Sequence, residues 1–80
     1  MIMVDIYFPV VDCVYDFRLD EHSQVNALIR EISEMMCKKY KSVFNKETYL
    51  LCSLDGNEIL DGNTALWEYG LKNGSRLMMV

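Results

Sequence analysis

Apolar and polar residues alternate along the first two segments of the chain. Every second position is apolar or aromatic at Ile2, Val4, Ile6 and Phe8, and again at Tyr15, Phe17 and Leu19. This period of two is typical of strands with one buried face. Pro9 lies between the segments, where the chain turns and its missing N–H interrupts no ladder of hydrogen bonds. The pattern predicts an antiparallel hairpin whose apolar face needs a cover.

The period changes to that of a helix after Asp20. Apolar residues recur at helical spacing at Val25, Leu28, Ile29, Ile32, Met35 and Met36. This spacing predicts an amphipathic helix that ends near 40–41 and is followed by a loop over 41–46. Ser23 is the predicted N-cap, because its hydroxyl can accept a hydrogen bond from a free N–H of the first turn. Asp20 is the alternative, one turn earlier.

Residues 48–54 are rich in β-branched, aromatic and apolar side chains, which predicts a third strand. Alternation puts Leu50, Cys52 and Leu54 on one face and Tyr49, Leu51 and Ser53 on the other. We expect the second set to lie on the face turned away from the helix. Asp55-Gly56 predicts a hairpin turn, because Gly accepts a positive φ without a clash.

The remaining residues predict a short strand over 58–60, one helical turn over 66–69 and a final strand over 75–80. Gly70 is expected to end the helical turn in the left-handed conformation. Leu77 and Met79 point to one face of the final strand, and Met78 and Val80 to the other. A helix must cover the apolar face of these strands. We therefore predict an α+β domain over 1–80: a β-grasp, with a mixed sheet of four or five strands and the final strand beside the first.

Composition excludes several classes of function. The net charge is −4 and the pI is about 4.7, so the clustered cations that neutralise phosphates are lacking and nucleic acid is an unexpected partner. No apolar run reaches the ~18 residues of a membrane span. The first residues lack the basic segment and cleavage site of a signal peptide. Three widely spaced cysteines favour a reducing compartment over a disulfide framework.

The turn and core positions of the last third resemble those of ubiquitin-like proteins. They are Leu54, Gly56, Ile59, Asp61, Gly62, Leu66, Tyr69, Leu71, Gly74, Ser75, Leu77 and Met79. In length and in the spacing of the positions from Leu66 to Leu77, the whole chain resembles the small bacterial YukD/EsaB proteins, which are associated with type VII (WXG100) secretion systems. The resemblance implies a cytoplasmic accessory or regulatory component, peripheral to a membrane complex, that contacts other secretion-machine proteins.

The sequence predicts no catalytic, cofactor-binding or metal-binding residues. Ubiquitin-like conjugation and sulfur-carrier chemistry need a flexible Gly-Gly tail, whereas this sequence ends within a strand at Val80. If Val80 is the natural end, both are excluded. The alternatives are a modifier or carrier whose tail lies beyond this sequence, and a domain cut from a larger membrane protein. Cys13, Cys37 and Cys52 are too scattered for an iron–sulfur or zinc site, and we expect mostly buried, structural thiols.

A surface for protein binding is the remaining candidate. The sheet face away from the helix is expected to carry an apolar patch of Met3, Tyr7, Tyr49, Leu51, Met78 and Val80. Exposed patches of this kind mark interaction sites, and Met and Tyr suit adaptable interfaces. A protein partner is the first hypothesis, a homodimer contact the second, and ordinary exposed side chains the third. Trp67, on the predicted helical turn, is a further candidate anchor.

Overall fold

The computed structural model describes residues 1–41, 43–44 and 48–80. Its elements are the strands β1 (Ile2–Phe8), β2 (Cys13–Leu19), β3 (Leu51–Ser53), β4 (Glu58–Ile59) and β5 (Arg76–Met79), the helix α1 (Val25–Lys39) and a 3₁₀ turn (Leu66–Tyr69). The elements follow the predicted order. The predicted loop over 41–46 includes residues 42, 45 and 46, which lie outside the described residues.

The five strands form one mixed sheet in the order β2-β1-β5-β3-β4. β1 is antiparallel to β2 and parallel to β5, and Ile6 lies between Tyr15 and Leu77. β3 is antiparallel to both of its neighbours, β5 and β4. The final strand therefore lies beside the first, as the sequence predicts. With α1 packed across one face of the sheet, the architecture is the predicted β-grasp.

The core lies between α1 and the sheet. The helix contributes Val25, Leu28, Ile32 and Met36, which join the buried side chains of the strands in one cluster. Met35 does not take part: it is 55% exposed, because it lies on the solvent side of α1. Phe44, in the segment after the helix, is buried and packs edge-on against Phe8 with ring centroids 5.6 Å apart. Its place in the core is not apparent from the sequence pattern.

The start of α1 differs from the prediction that Ser23 is its N-cap. Gln24 occupies the cap position and makes no side-chain cap hydrogen bond. The N–H of Val25 instead donates to the Thr64 carbonyl at 2.8 Å, and the N–H of Asn26 donates to the Gly62 carbonyl at 2.9 Å. A distant turn thus supplies the acceptors that a cap residue would otherwise provide. A Cβ at Gly62 would lie 2.1 Å from Oδ1 of Asn26, so a larger residue there would displace the Asn26 side chain.

The turns agree with the prediction at one glycine and differ at another. Gly70 ends the 3₁₀ turn in the left-handed conformation, with φ +72°. In the turn between β3 and β4, however, the positive φ of +53° belongs to Asn57, not to Gly56. The N–H of Gly56 donates to Oγ of Ser53 at 3.0 Å. The two-residue Asp-Gly turn is therefore replaced by a longer loop that uses Asn57, a residue that tolerates this conformation.

The predicted orientation of β3 is wrong. Tyr49, Leu51 and Ser53 do share a face, but that face points into the core: Leu51 is 0% exposed, Ser53 is buried and Tyr49 packs against the core cluster. Leu51 is paired with Met79, and directly paired residues point to the same side of a sheet. The sequence around Leu51 is apolar on both faces, so its alternation cannot show which face is buried. The register with β5 decides it.

Candidate functional site

The open face is the side of the sheet opposite α1, and one row of apolar side chains crosses it. Strand register places one residue from each strand in this row: Val14, Tyr7, Met78, Cys52 and Ile59. At a strand spacing of ~4.8 Å, the apolar row is about 19 Å long. Its two ends are the most exposed, with Val14 at 58% and Ile59 at 62%. The row is long enough to contact a helix or a strand of another protein.

Further apolar side chains extend the open face beyond this row. Leu50 and Val80 exchange backbone hydrogen bonds of 2.7 and 3.0 Å, and their side chains are 51% and 37% exposed. A shallow depression of about 450 Å³ lies over β5, β3 and β4, and Met78, Cys52 and Ile59 are among its lining residues. A partner's apolar side chain could be buried in it. Exposed apolar surface of this extent is a mark of protein interaction sites.

Charged side chains border the apolar row on one side. Asp5 and Asp16 lie directly opposite each other on β1 and β2, and Arg76 lies opposite Asp5 on β5. Arg76 is bound to Asp55, with Nε 3.0 Å and a terminal guanidinium nitrogen 2.8 Å from Oδ1. The backbone N–H of Arg76, and then its guanidinium, lower the pKa of Asp55.

The pKa of the Asp5 carboxyl is shifted in the opposite direction, upward. A hydrogen bond with Asp16, desolvation and the Asp16 charge raise the pKa of Asp5, and the charge of Arg76 only partly counteracts them. Asp5 and Asp16 therefore compete for ionisation on the open face. Alternation along β1 puts Asp5 on the face opposite to Val4 and Ile6, but only the pairing register of the hairpin identifies Asp16 as its partner.

Tyr7 is held in place in the apolar row, next to Met78 at its centre. Its hydroxyl donates to Oδ1 of Asp12 at 2.8 Å, and this hydrogen bond is the main reason that the pKa of Tyr7 is raised. Asp12 lies in the turn between β1 and β2 with φ +50°. The hydrogen bond restrains the side chain of Tyr7, which is the direct neighbour of Met78 in the apolar row.

The structure brings together four of the seven residues predicted to bind protein. Met3, Tyr7, Met78 and Val80 lie on the open face. Tyr49 and Leu51 do not, because their face of β3 points into the core. Trp67 is 57% exposed but belongs to a separate surface, where its indole lies 6.4 Å from the His22 ring. The open face also includes Val14, Cys52 and Ile59, which the sequence-based prediction missed. Only the correct register of β3 would have revealed the last two.

The thiols differ from the expectation of burial. Cys37 is exposed on α1, and Cys13 and Cys52 are only partly buried. Within residues 1–41, 43–44 and 48–80, no three His, Cys, Asp or Glu side chains are grouped as metal ligands. In the same part of the chain, no helix has the length and apolar character to cross a bilayer.

Comparison with known proteins gives a consistent result for the fold. No protein-family model matches the chain, and no curated protein matches its sequence. Among solved structures, it is similar to the EccD5 ubiquitin-like domain from Mycobacterium xenopi, with TM-score 0.78 and 20% identity over 99% of this chain and 91% of that one.

Two further structures are also similar. The ubiquitin-like domain of the type VII secretion protein EccD1 of Mycobacterium tuberculosis has TM-score 0.73 and 14% identity, and covers 100% of this chain and 99% of that one. A ubiquitin-like domain from Arabidopsis thaliana has TM-score 0.66 and 20% identity, and covers 99% of this chain and 74% of that one. At these identities the similarity shows the fold. The chain therefore has the ubiquitin-like β-grasp fold.

Proposed function

We propose that this chain is a ubiquitin-like protein-interaction module that binds another protein through its open face. The apolar row across all five strands is the observation that carries this proposal. Its two ends are more than half exposed, and the depression beside Met78 and Ile59 offers space for an apolar anchor. Such side chains, surrounded by polar ones, form the energetic centre of many interfaces. We propose a binding role for this face, in preference to catalysis or conjugation to other proteins.

We further propose that the module is an accessory or regulatory component of a type VII secretion system, as in the YukD/EsaB proteins. Two observations support this pathway. The sequence spacing of the last third resembles these proteins, and two similar structures are ubiquitin-like domains of EccD proteins, one of them described as a type VII secretion protein. The module would then act on the cytoplasmic side, as a single domain over 1–80 that contacts components of the secretion machine.

Genetic complementation in the source organism tests both parts of the proposal. We expect deletion of the gene to reduce secretion of the small helical substrates of such a system. The wild-type gene should restore secretion, whereas Ile59→Glu should not, because a charge at the exposed end of the row opposes desolvation on binding. Met35→Glu is the matched control, since Met35 is 55% exposed and lies on the opposite side of the molecule.

The outcomes separate the pathway from the surface. If deletion leaves secretion unchanged, the role in type VII secretion is wrong. If deletion reduces secretion but Ile59→Glu restores it as fully as Met35→Glu, the open face is not the surface used. Intact-mass measurement of the native protein tests both alternatives. A mature chain with a Gly-Gly tail would indicate a modifier or a sulfur carrier, and a much larger mass would indicate a domain of a longer protein.

A further inference from the structure

The open face combines apolar side chains with a pair of carboxylates whose charge the protein balances only in part. Asp5 and Asp16 face each other across an antiparallel strand pair, where like charges destabilise a sheet. Arg76 is the cation on the neighbouring strand, but its guanidinium is held by Asp55 at 2.8 Å. Arg18 follows Asp16 by two positions, and within the described residues it forms no ion pair. Arg76 is thus shared with Asp55, and its charge only partly offsets the effect of Asp16 on Asp5.

Charge therefore restricts what can bind the open face. A partner that brings a cation to Asp5 and Asp16 relieves their mutual repulsion, in addition to burying the apolar row. A second copy of the chain is a poor candidate, because its net charge is also −4 and its own open face carries the same pair. An acidic segment would increase the repulsion. The favoured partner is a basic one.

We propose, on the basis of the binding role proposed above, that the open face binds a segment of another protein that combines a Lys or Arg with an apolar anchor. The apolar anchor enters the depression at Met78, Cys52 and Ile59. The basic side chain reaches the carboxylates of Asp5 and Asp16.

The geometry gives the spacing between these two contacts. Cys52 on β3 is two strands away from Asp5 on β1 and one two-residue step along the sheet, which places their Cα atoms about 12 Å apart. On a helix, residues four to seven apart span roughly 6 to 11 Å along the axis. The long stem of Lys or Arg can cover the remainder. We therefore expect the basic residue four to seven positions from the anchor in a helical segment.

Selection from a random peptide library tests this chemistry without a known partner. The full chain is used to select phage-displayed peptides of about 16 residues, a length that permits four helical turns. We expect enriched peptides to carry Lys or Arg at the stated spacing from a large apolar residue. Their synthetic forms should bind less tightly as NaCl is raised from about 0.05 to about 0.5 M, because salt screens exposed charges.

Substitution at the carboxylates supplies the specific control. The double variant Asp5→Asn/Asp16→Asn should weaken peptide binding about tenfold, as expected for loss of close charge contacts at an interface. It removes a like-charge repulsion, so it should remain folded. The variant Glu31→Gln/Glu34→Gln makes the same change in net charge on the exposed side of α1 and should leave the affinity unchanged.

The remaining outcomes distinguish this inference from the proposed function. One outcome is that peptides fail to bind Ile59→Glu and yet bind the Asp5→Asn/Asp16→Asn variant as tightly as wild type. In that case the open face binds protein, and the inference that the partner must carry a cation is wrong. If Ile59→Glu leaves the affinity for the peptides unchanged, the proposed function itself is refuted. Sedimentation showing a dimer that Ile59→Glu dissociates would identify a second copy as the occupant and overturn the inference. A library that yields no binder would also overturn it.

Discussion

Adjacent leucines on β3 provide a direct test of the register that defines the open face. Leu51 is 0% exposed within the core, whereas Leu50 is 51% exposed on the open face. Leu51→Ala removes three carbons, which costs about 2.4 kcal/mol in transfer free energy at ~0.8 kcal/mol each. The cavity left behind brings the total to about 3–4 kcal/mol. Leu50→Ala should change the free energy of unfolding by less than ~0.5 kcal/mol, because its side chain is largely hydrated already.

Urea unfolding followed by far-UV circular dichroism measures this contrast. A domain of this size is expected to have a stability of roughly 4–12 kcal/mol, so Leu51→Ala should remove a large part of it. The midpoint of thermal unfolding should fall by about 12–30 °C, at 4–8 °C for each kcal/mol. Equal losses for the two variants, or a larger loss for Leu50→Ala, would show that β3 is shifted by one residue. The apolar row would then contain Leu51 and not Cys52.

Three further predictions follow from individual contacts. The pKa of Asp5 is raised in the folded state above its ordinary value of 3.8. Between these two values the folded state binds more protons than the unfolded state. The contribution of Asp5 to stability therefore falls as pH rises through this window. Asp5→Asn should accordingly raise the urea midpoint at neutral pH but not near pH 3, and an equal effect at both would contradict this. Gly70→Ala should cost about 1–2 kcal/mol in urea unfolding through its φ of +72° alone, since no atom lies within 4 Å of the added Cβ; no loss would refute this backbone conformation. The hydrogen bond with the Tyr15 hydroxyl raises the pKa of Tyr40 to about 12, so ultraviolet titration of Tyr15→Phe should show Tyr40 ionising closer to 10.0, and an unchanged titration would show that another contact is responsible.

Much of the fold can be predicted because its periodicities are unambiguous. In the first hairpin, large aliphatic and aromatic residues recur at every second position, and the buried residues, from Ile2 to Leu19, lie where this period of two places them. The helix begins and ends close to the predicted positions, since Val25, Leu28, Ile32 and Met36 form a stripe with helical period. The final strand lies beside the first, which is its simplest position in a mixed sheet of this element order.

The features that could not be predicted depend on contacts between distant parts of the chain. Leu51 and Cys52 are both apolar, so local alternation does not decide which of them is buried, and pairing with β5 does. Likewise, a search for a polar cap selects Ser23, whereas the carbonyls of Gly62 and Thr64 satisfy the first N–H groups of α1. The open face was predicted as a surface, but its central row needed the register of every strand.

Chemical-shift mapping is the sharpest test of whether the open face is the protein-binding surface. The isotope-labelled chain is titrated with a peptide selected for binding to it, and backbone amide shifts are followed by nuclear magnetic resonance. We predict that the largest shifts lie along the apolar row, at Tyr7, Val14, Cys52, Ile59 and Met78. Shifts concentrated on the exposed side of α1 or around Trp67, with the row unchanged, would contradict the claim.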